Sequence, residues 1–189
     1  MIPYLLELDQ DIFLWLNSLH TNQLDPWMLA FSGTLIWLPL YFYWLFLVFR
    51  QLKRRIWWFV LTLVMLISLS DGLTSHIMKP YFQRLRPSHN KAIRASVHIV
   101  HQYRGGRFGF ASSHAANAFA TATFLWLLLG KHLHFAVGLF SWATLVSYSR
   151  IYLGVHYPLD ILVGALVGVL LAWGIAKIYF FYGKKIFPD

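Results

Sequence analysis

The chain contains no cysteine. Disulfides, thiolate nucleophiles and cysteine-ligated metal sites are therefore excluded, although the absence says nothing about compartment. Acidic residues are scarce too. Seven Asp and Glu stand against sixteen Lys and Arg, a formal net charge of +9, and charged residues of all kinds make up only 12% of the 189 positions. A soluble domain averages about 25% charged residues. A chain this poor in charge, 58% hydrophobic with a mean hydropathy of +0.55, cannot solvate itself as a soluble monomer. A basic leader is missing as well: the opening MIPYLLELDQD is acidic, which excludes the basic start of a cleavable signal peptide and leaves the first span to direct insertion.

What the sequence does have is apolar length and aromatic rings. Nine Trp and ten Tyr fit a protein that anchors rings at the headgroup layer. The expected class is an all-α membrane protein, one domain over residues 1–189. On a soluble protein the positive charge would point to nucleic acid; beside a bilayer it fits anionic headgroups, so the expected partners are membrane and anionic lipid, with no nucleic acid. Oligomeric state is not legible.

Residues 3–20 predict an amphipathic helix, with Leu5, Leu8, Ile12, Trp15, Leu16 and Leu19 at helical spacing and Asp9, Gln10, Asp11, Asn17 and Ser18 between them. It is too polar to span and is expected to lie in the interface. Five spans follow, over about 27–49 (with Pro39 inside), 56–79, 112–130, 133–153 and 158–182, each close to the ~20 residues that cross a hydrocarbon core. Small residues in the third and fifth, among them Ala115, Ala118, Gly164 and Gly168, allow close helix packing. With five spans the basic loops 50–55, 130–132 and 183–185 share one side, expected to be cytoplasmic. The polar segment 80–111 and the 154–157 link then face the periplasm or exterior of a bacterial inner membrane. That outward segment holds Arg84, Arg86, Lys91, Arg94, Arg104 and Arg107 and no acid. Translocated cations run against the orientation rule, and anion binding accounts for them.

Four pieces meet at this edge: KPYFQRLRP (79–87), ASSH (111–114), SR (149–150) and HYPLD (156–160). Lys79, Arg86 and Arg150 bring permanent positive charge, and the two arginines bring forked donors for phosphate oxygens. Ser112 sits at an N-cap position, where open N–H groups form an anion seat. Asp160 lies four residues after His156, placed to fix its tautomer and free the other ring nitrogen for attack. His114 is a second imidazole, available to protonate a leaving oxygen. The set forms a phosphoryl-transfer site in which cations neutralise the transferring group and a phosphohistidine is hydrolysed by water. His114, His156 and Asp160 could instead ligate zinc, but the surrounding cations would repel a metal, so none is expected. Asp71, inside the second span, stands as either a structural partner or a substrate contact.

These residues resemble the type 2 phosphatidic acid phosphatase superfamily, membrane lipid phosphate phosphatases related to vanadium haloperoxidases. The family carries K-x6-RP, PSGH and SR-x5-H-x3-D. Lys79 to Arg86-Pro87 fits the first, and Ser149-Arg150, His156 and Asp160 fit the third. In the middle motif Ala111 replaces proline and Ser113 replaces glycine, while Ser112 and His114 are kept. The resemblance implies His156 as nucleophile, Asp160 as its partner and His114 as general acid. Lys79, Arg86, Ser112 and Arg150 would hold phosphate, with Ser113 able to add a hydroxyl. It implies no metal or other cofactor, and a helical bundle commonly of six spans. A membrane phosphatase acting on undecaprenyl pyrophosphate, phosphatidylglycerophosphate, phosphatidic acid or a lipid A phosphate is expected. The alternatives are a non-catalytic anionic-lipid binding or transport protein using the same pocket, and a vanadate-dependent oxidase.

Overall fold

The structure, a computed structural model, describes residues 2–130 and 132–186. Helices make up its regular elements: α1 Ile2–Ser18, α2 Asp25–Ser32, α3 Leu38–Leu52, α4 Ile56–Asp71, α5 Lys79–Phe82, α6 Ser113–Leu128, α7 Leu133–Tyr152 and α8 Pro158–Ile186. Among the described residues there is no strand; Leu85 and Phe108 pair as an isolated bridge.

The helices start where their sequences allow. Ser112 caps α6, its hydroxyl accepting the Ala115 N–H at 3.4 Å. Pro158 opens α8, where its missing N–H costs nothing. The same logic corrects the expected first span. Residues 27–49 are two helices, α2 and α3, separated at Gly33–Thr34 and a single 3₁₀ turn, Leu35–Trp37. Pro39 lies in the first turn of α3 rather than inside a continuous helix, because its ring would clash with the preceding turn. The second expected span runs through α4 into a wider π-type stretch, Gly72–Met78, that delivers Lys79.

The central helix is α6, packed on α8, α7 and α4. Gly164 and Gly168 make the α6–α8 approach possible: a Cβ on either would run into the backbone oxygens of Ser112 and Ala116. Two hydrogen bonds fix the run of the chain. Gln51 Nε2 donates to the Leu128 carbonyl at the far end of α6, at 3.3 Å. Thr74 Oγ1 donates to Ser113 Oγ at its start, at 2.9 Å. So α3 runs away from the Ser113 end and α4 returns to it. The polar segment folds over that end and doubles back, with Arg86 N–H to the Arg107 carbonyl and Gly109 N–H to the Arg84 carbonyl.

The outward faces are apolar. Leu162, Leu166 and Leu170 form an exposed stripe on α8, and Phe42, Phe46 and Phe49 one on α3. Two helical stretches, Leu35–Phe82 and Pro158–Gly183, are long and apolar enough to cross a bilayer. The protein is an integral membrane protein, since water would not tolerate such a surface. The face α1 turns inward is mixed, with Leu14 and Leu16 packing beside polar groups. Asp9, Phe13 and Asn17, one turn apart, are buried, while Leu5, Leu8, Ile12, Trp15 and Leu19 are exposed. Asn17 donates to the Tyr152 carbonyl at 2.8 Å and accepts the His98 N–H at 2.7 Å. Of the basic loop residues expected on the opposite side, Lys131 and the side chains of Lys184 and Lys185 lie outside the described residues.

Candidate active site

His156 is buried in the link between α7 and α8. Its Nδ1 lies 3.3 Å from Asp160 Oδ2, and its Nε2 lies 3.3 Å from Arg86 Nη1. A carboxylate can only accept and a guanidinium can only donate. The partners therefore fix the tautomer from both sides: Nδ1 carries the hydrogen and Nε2 presents its lone pair. Burial, joined by the positive charge of Arg86, Arg150, Lys79 and Arg84, holds this imidazole well below its ordinary 6.5. A shift in that direction favours the neutral ring, with the Nε2 lone pair unprotonated.

Asp160 is itself pinned. Its Oδ2 also accepts the Tyr157 N–H at 3.1 Å, and its Oδ1 accepts Arg84 Nη1 at 2.8 Å. Gly109 packs against the pair; a Cβ there would lie 3.0 Å from Asp160 Oδ2 and 3.5 Å from His156 Nδ1. Arg86 is fixed by the Phe108 carbonyl at 3.1 Å and the Val155 carbonyl at 3.3 Å.

Lys79 comes from the helix that follows α4. Its Nζ donates to Ser113 Oγ at 2.6 Å and Ser75 Oγ at 3.1 Å, and Ser75 in turn donates to Asp71 Oδ1 at 3.2 Å. Asp71 thus anchors a chain of polar groups ending at a cation. Arg150 donates to Tyr103 Oη at 2.9 Å and to Ser32 Oγ, while its buried Nε has no hydrogen-bond partner.

One cavity of about 740 Å³ joins these groups; Lys79, Arg86, Ser113, His114, Arg150 and His156 all line it. Two expected site residues lie behind its wall. Asp160 backs His156, and Ser112 is fully buried, its hydroxyl in the α6 cap and its N–H on the Asp160 carbonyl at 2.9 Å. Away from the cations the lining turns apolar, reaching Trp44, Leu63 and Leu125. From His114 to Leu125 is about 16 Å along α6. The cavity therefore pairs a cationic head with a deep apolar body. Among the described residues no three His, Asp or Glu side chains gather to hold a metal. The donor set suits an anion.

Sequence reasoning counted Arg84 only as one outward cation and Asp9 only as a polar position of an amphipathic helix. Tyr103 and Gly109 it left without a role, and Ser75 entered only as one of several partners open to Asp71, the contact it makes here. For Arg84 a signal existed, since it sits inside KPYFQRLRP; for Asp9 there was only the oddity of a carboxylate on a greasy helix.

Residues 60–184, which span α4 to α8, match the profile of the PAP2 superfamily. The chain belongs to this superfamily. Similar proteins include the lipid A 4'-phosphatase of Bacteroides thetaiotaomicron, 35% identical over 98% of this chain and 81% of the relative. The lipid A 4'-phosphatase of Porphyromonas gingivalis is 33% identical over 95% of this chain and 76% of its own. Among solved structures, LpxE of Aquifex aeolicus superimposes with a TM-score of 0.66 at 28% identity, covering 90% of this chain and 95% of that one. A transmembrane PAP2-type phosphatidylglycerolphosphate phosphatase from Bacillus subtilis shares the fold, with a TM-score of 0.70 at 21% identity over 98% of this chain and 89% of its own.

Proposed function

We propose that this PAP2 protein hydrolyses a lipid phosphate, with His156 as nucleophile. The observation that carries the reading is a neutral imidazole held between Asp160 and Arg86 at the wall of a cavity shared with Lys79, His114 and Arg150. Nε2 bonds to phosphorus as the ester P–O bond breaks, and its electrons leave on the lipid oxygen. His114, protonated once the bound phosphate dianion offsets the surrounding cations, gives that oxygen its proton. Water then attacks phosphorus, returns a proton to His114, and the N–P bond breaks to release inorganic phosphate. The Nδ1 proton stays against Asp160 throughout. Lys79, Arg86, Arg150, the Ser113 hydroxyl and the N–H groups beyond the Ser112 cap hold the phosphoryl oxygens. No metal or cofactor takes part.

The apolar reach of the cavity favours a lipid, and the relatives that align along nearly the whole chain favour a lipid A phosphate monoester. Phosphatidylglycerophosphate, phosphatidic acid and undecaprenyl pyrophosphate follow. In the same reading residues 1–189 form one domain and α1 lies in the interface. Five passes cross the bilayer, and the site opens to the periplasm or exterior of a bacterial inner membrane.

The test is phosphate release from those four lipids in detergent with a chelator present, comparing wild type with His114→Ala and His156→Ala. Vanadate-sensitive release by wild type alone, greatest with lipid A phosphate, is expected. A panel left intact by wild type that still binds it would overturn the reading in favour of a lipid-binding or transport protein. Peroxide-dependent halide oxidation after vanadate loading would favour an oxidase.

A further inference from the structure

Arg84 does not line the cavity, yet it is held by two carboxylates. Its two terminal nitrogens part company: Nη1 donates to Asp160 Oδ1 at 2.8 Å and Nη2 to Asp9 Oδ2 at 2.6 Å. Its guanidinium lies over the Tyr157 ring, 4.1 Å from the centroid. Asp9 is buried, and its other oxygen accepts the Leu159 N–H at 2.8 Å. That N–H is one of the open donors in the first turn of α8, so a residue of α1 serves as the cap of the helix bearing Asp160. Phe13, one turn on from Asp9, packs edge-on against Tyr157 with centroids 5.3 Å apart.

These contacts have one common target. Asp160 keeps the Nδ1 hydrogen of His156 only while its carboxylate plane is held. The Tyr157 N–H and His156 share one oxygen, and Arg84 holds the other. With a shorter or single-pronged cation the carboxylate is free to turn about its terminal torsion, and the imidazole loses its orientation. A group that orients a reacting imidazole through a carboxylate acts at one remove, and loss of such outer partners typically costs about 10–100-fold in activity.

We infer that Arg84 and Asp9 are positioning residues for His156, and that α1 is therefore a working part of the active site rather than a surface anchor. The inference rests on the reading of His156 as nucleophile. Arg84 bridges the carboxylate of α1 to the carboxylate of α8, and the bridge sets the imidazole.

The experiment measures kcat and KM for Arg84→Lys and Asp9→Asn, each alone and combined with Asp160→Asn, beside wild type and His156→Ala. Asp9→Asn keeps an oxygen for the Leu159 N–H and turns an amide donor toward Arg84, removing both the charge and the acceptor of the bridge, so it decides the matter if Arg84→Lys does not yield monodisperse protein. The expected result is a fall in kcat of about tenfold or more with KM unchanged in each single variant. In the Asp160→Asn background the same substitutions should add little, because they act through the group already lost. Unchanged kcat, an effect on KM alone, or full multiplicativity with Asp160→Asn would overturn the inference while leaving the proposed function intact. Wild type inert on all four lipids, or His156→Ala fully active, would overturn the proposed function and this inference with it.

Discussion

Both ring nitrogens of His156 are committed before a substrate arrives, and the residue that guards this arrangement is a glycine. Gly109 leaves a methyl group little room: a Cβ would sit 3.0 Å from Asp160 Oδ2 and 3.1 Å from the Arg86 side chain, so these side chains would have to give by a few tenths of an ångström. Its substitution should disturb chemistry more than folding, because the crowding falls on the His156–Asp160 pair. Gly109→Ala is expected to lower kcat on the order of tenfold while the protein still elutes as a folded species, since a misplacement of a reacting group by about 1 Å costs about 100-fold and the shift needed here is a few tenths of that. Wild-type kcat in this variant would show that the pair tolerates displacement. At this scale much of the site was legible, because its chemistry is local in sequence. His156 and Asp160 are one helical turn apart, and Ser112 stands two residues before His114. Arg84 and Asp9 were not legible, because their partners lie 75 residues and more away along the chain.

At the scale of elements, glycines of α8 divide by what faces them. Gly168 meets the Ala116 carbonyl and Ala120 N of α6, whereas Gly174 has nothing within 4 Å of where a Cβ would stand. Gly168→Ala must push α6 and α8 apart, at a cost of about 1–3 kcal/mol for overpacking. Gly174→Ala should be neutral or stabilise by about 0.5–1 kcal/mol, because alanine is the better helix former. Thermal unfolding in detergent separates them; equal midpoints would contradict the close approach. The helices α4 and α6–α8 were readable from apolar length, capping serine and opening proline. Two features were not. The break between α2 and α3 falls inside an unbroken apolar run, where only Gly33 and Pro39 mark it. The inward face of α1 carries Asp9 and Asn17, and an amphipathic reading assumes that polar residues seek water. Beside lipid the preference reverses, because the backbone carbonyls of Ile151 and Tyr152 and the half-buried Arg84 are the better partners.

Across the whole molecule, the proposed orientation turns the cavity end of the bundle outward. The cavity and the cations of the outer segment occupy one end of the bundle, and the 50–55 basic turn joins α3 to α4 at the other. The absence of cysteine makes this testable without background labelling. Lys91 and Arg54 are both exposed, at opposite ends. In whole cells with a permeabilised outer envelope, an impermeant thiol reagent should label Lys91→Cys, and should label Arg54→Cys only after the inner membrane is opened. The reverse pattern would invert the topology. The cations that the proposed orientation translocates, against the positive-inside rule, are in part explained by the fold: Arg84 and Arg86 are held by buried partners, and Arg104 Nη1 donates to the Ser88 carbonyl at 3.3 Å.

The central claim is that phosphate passes through a covalent bond to His156. Rapid acid-free quenching of the enzyme during turnover, followed by mass spectrometry of its peptides, tests it directly. The account predicts an alkali-stable phosphoryl group on His156 in wild type, accumulating in His114→Ala if that variant still phosphorylates, and absent from His156→Ala. Steady turnover with phosphate on no histidine, or on a histidine other than His156, would contradict it.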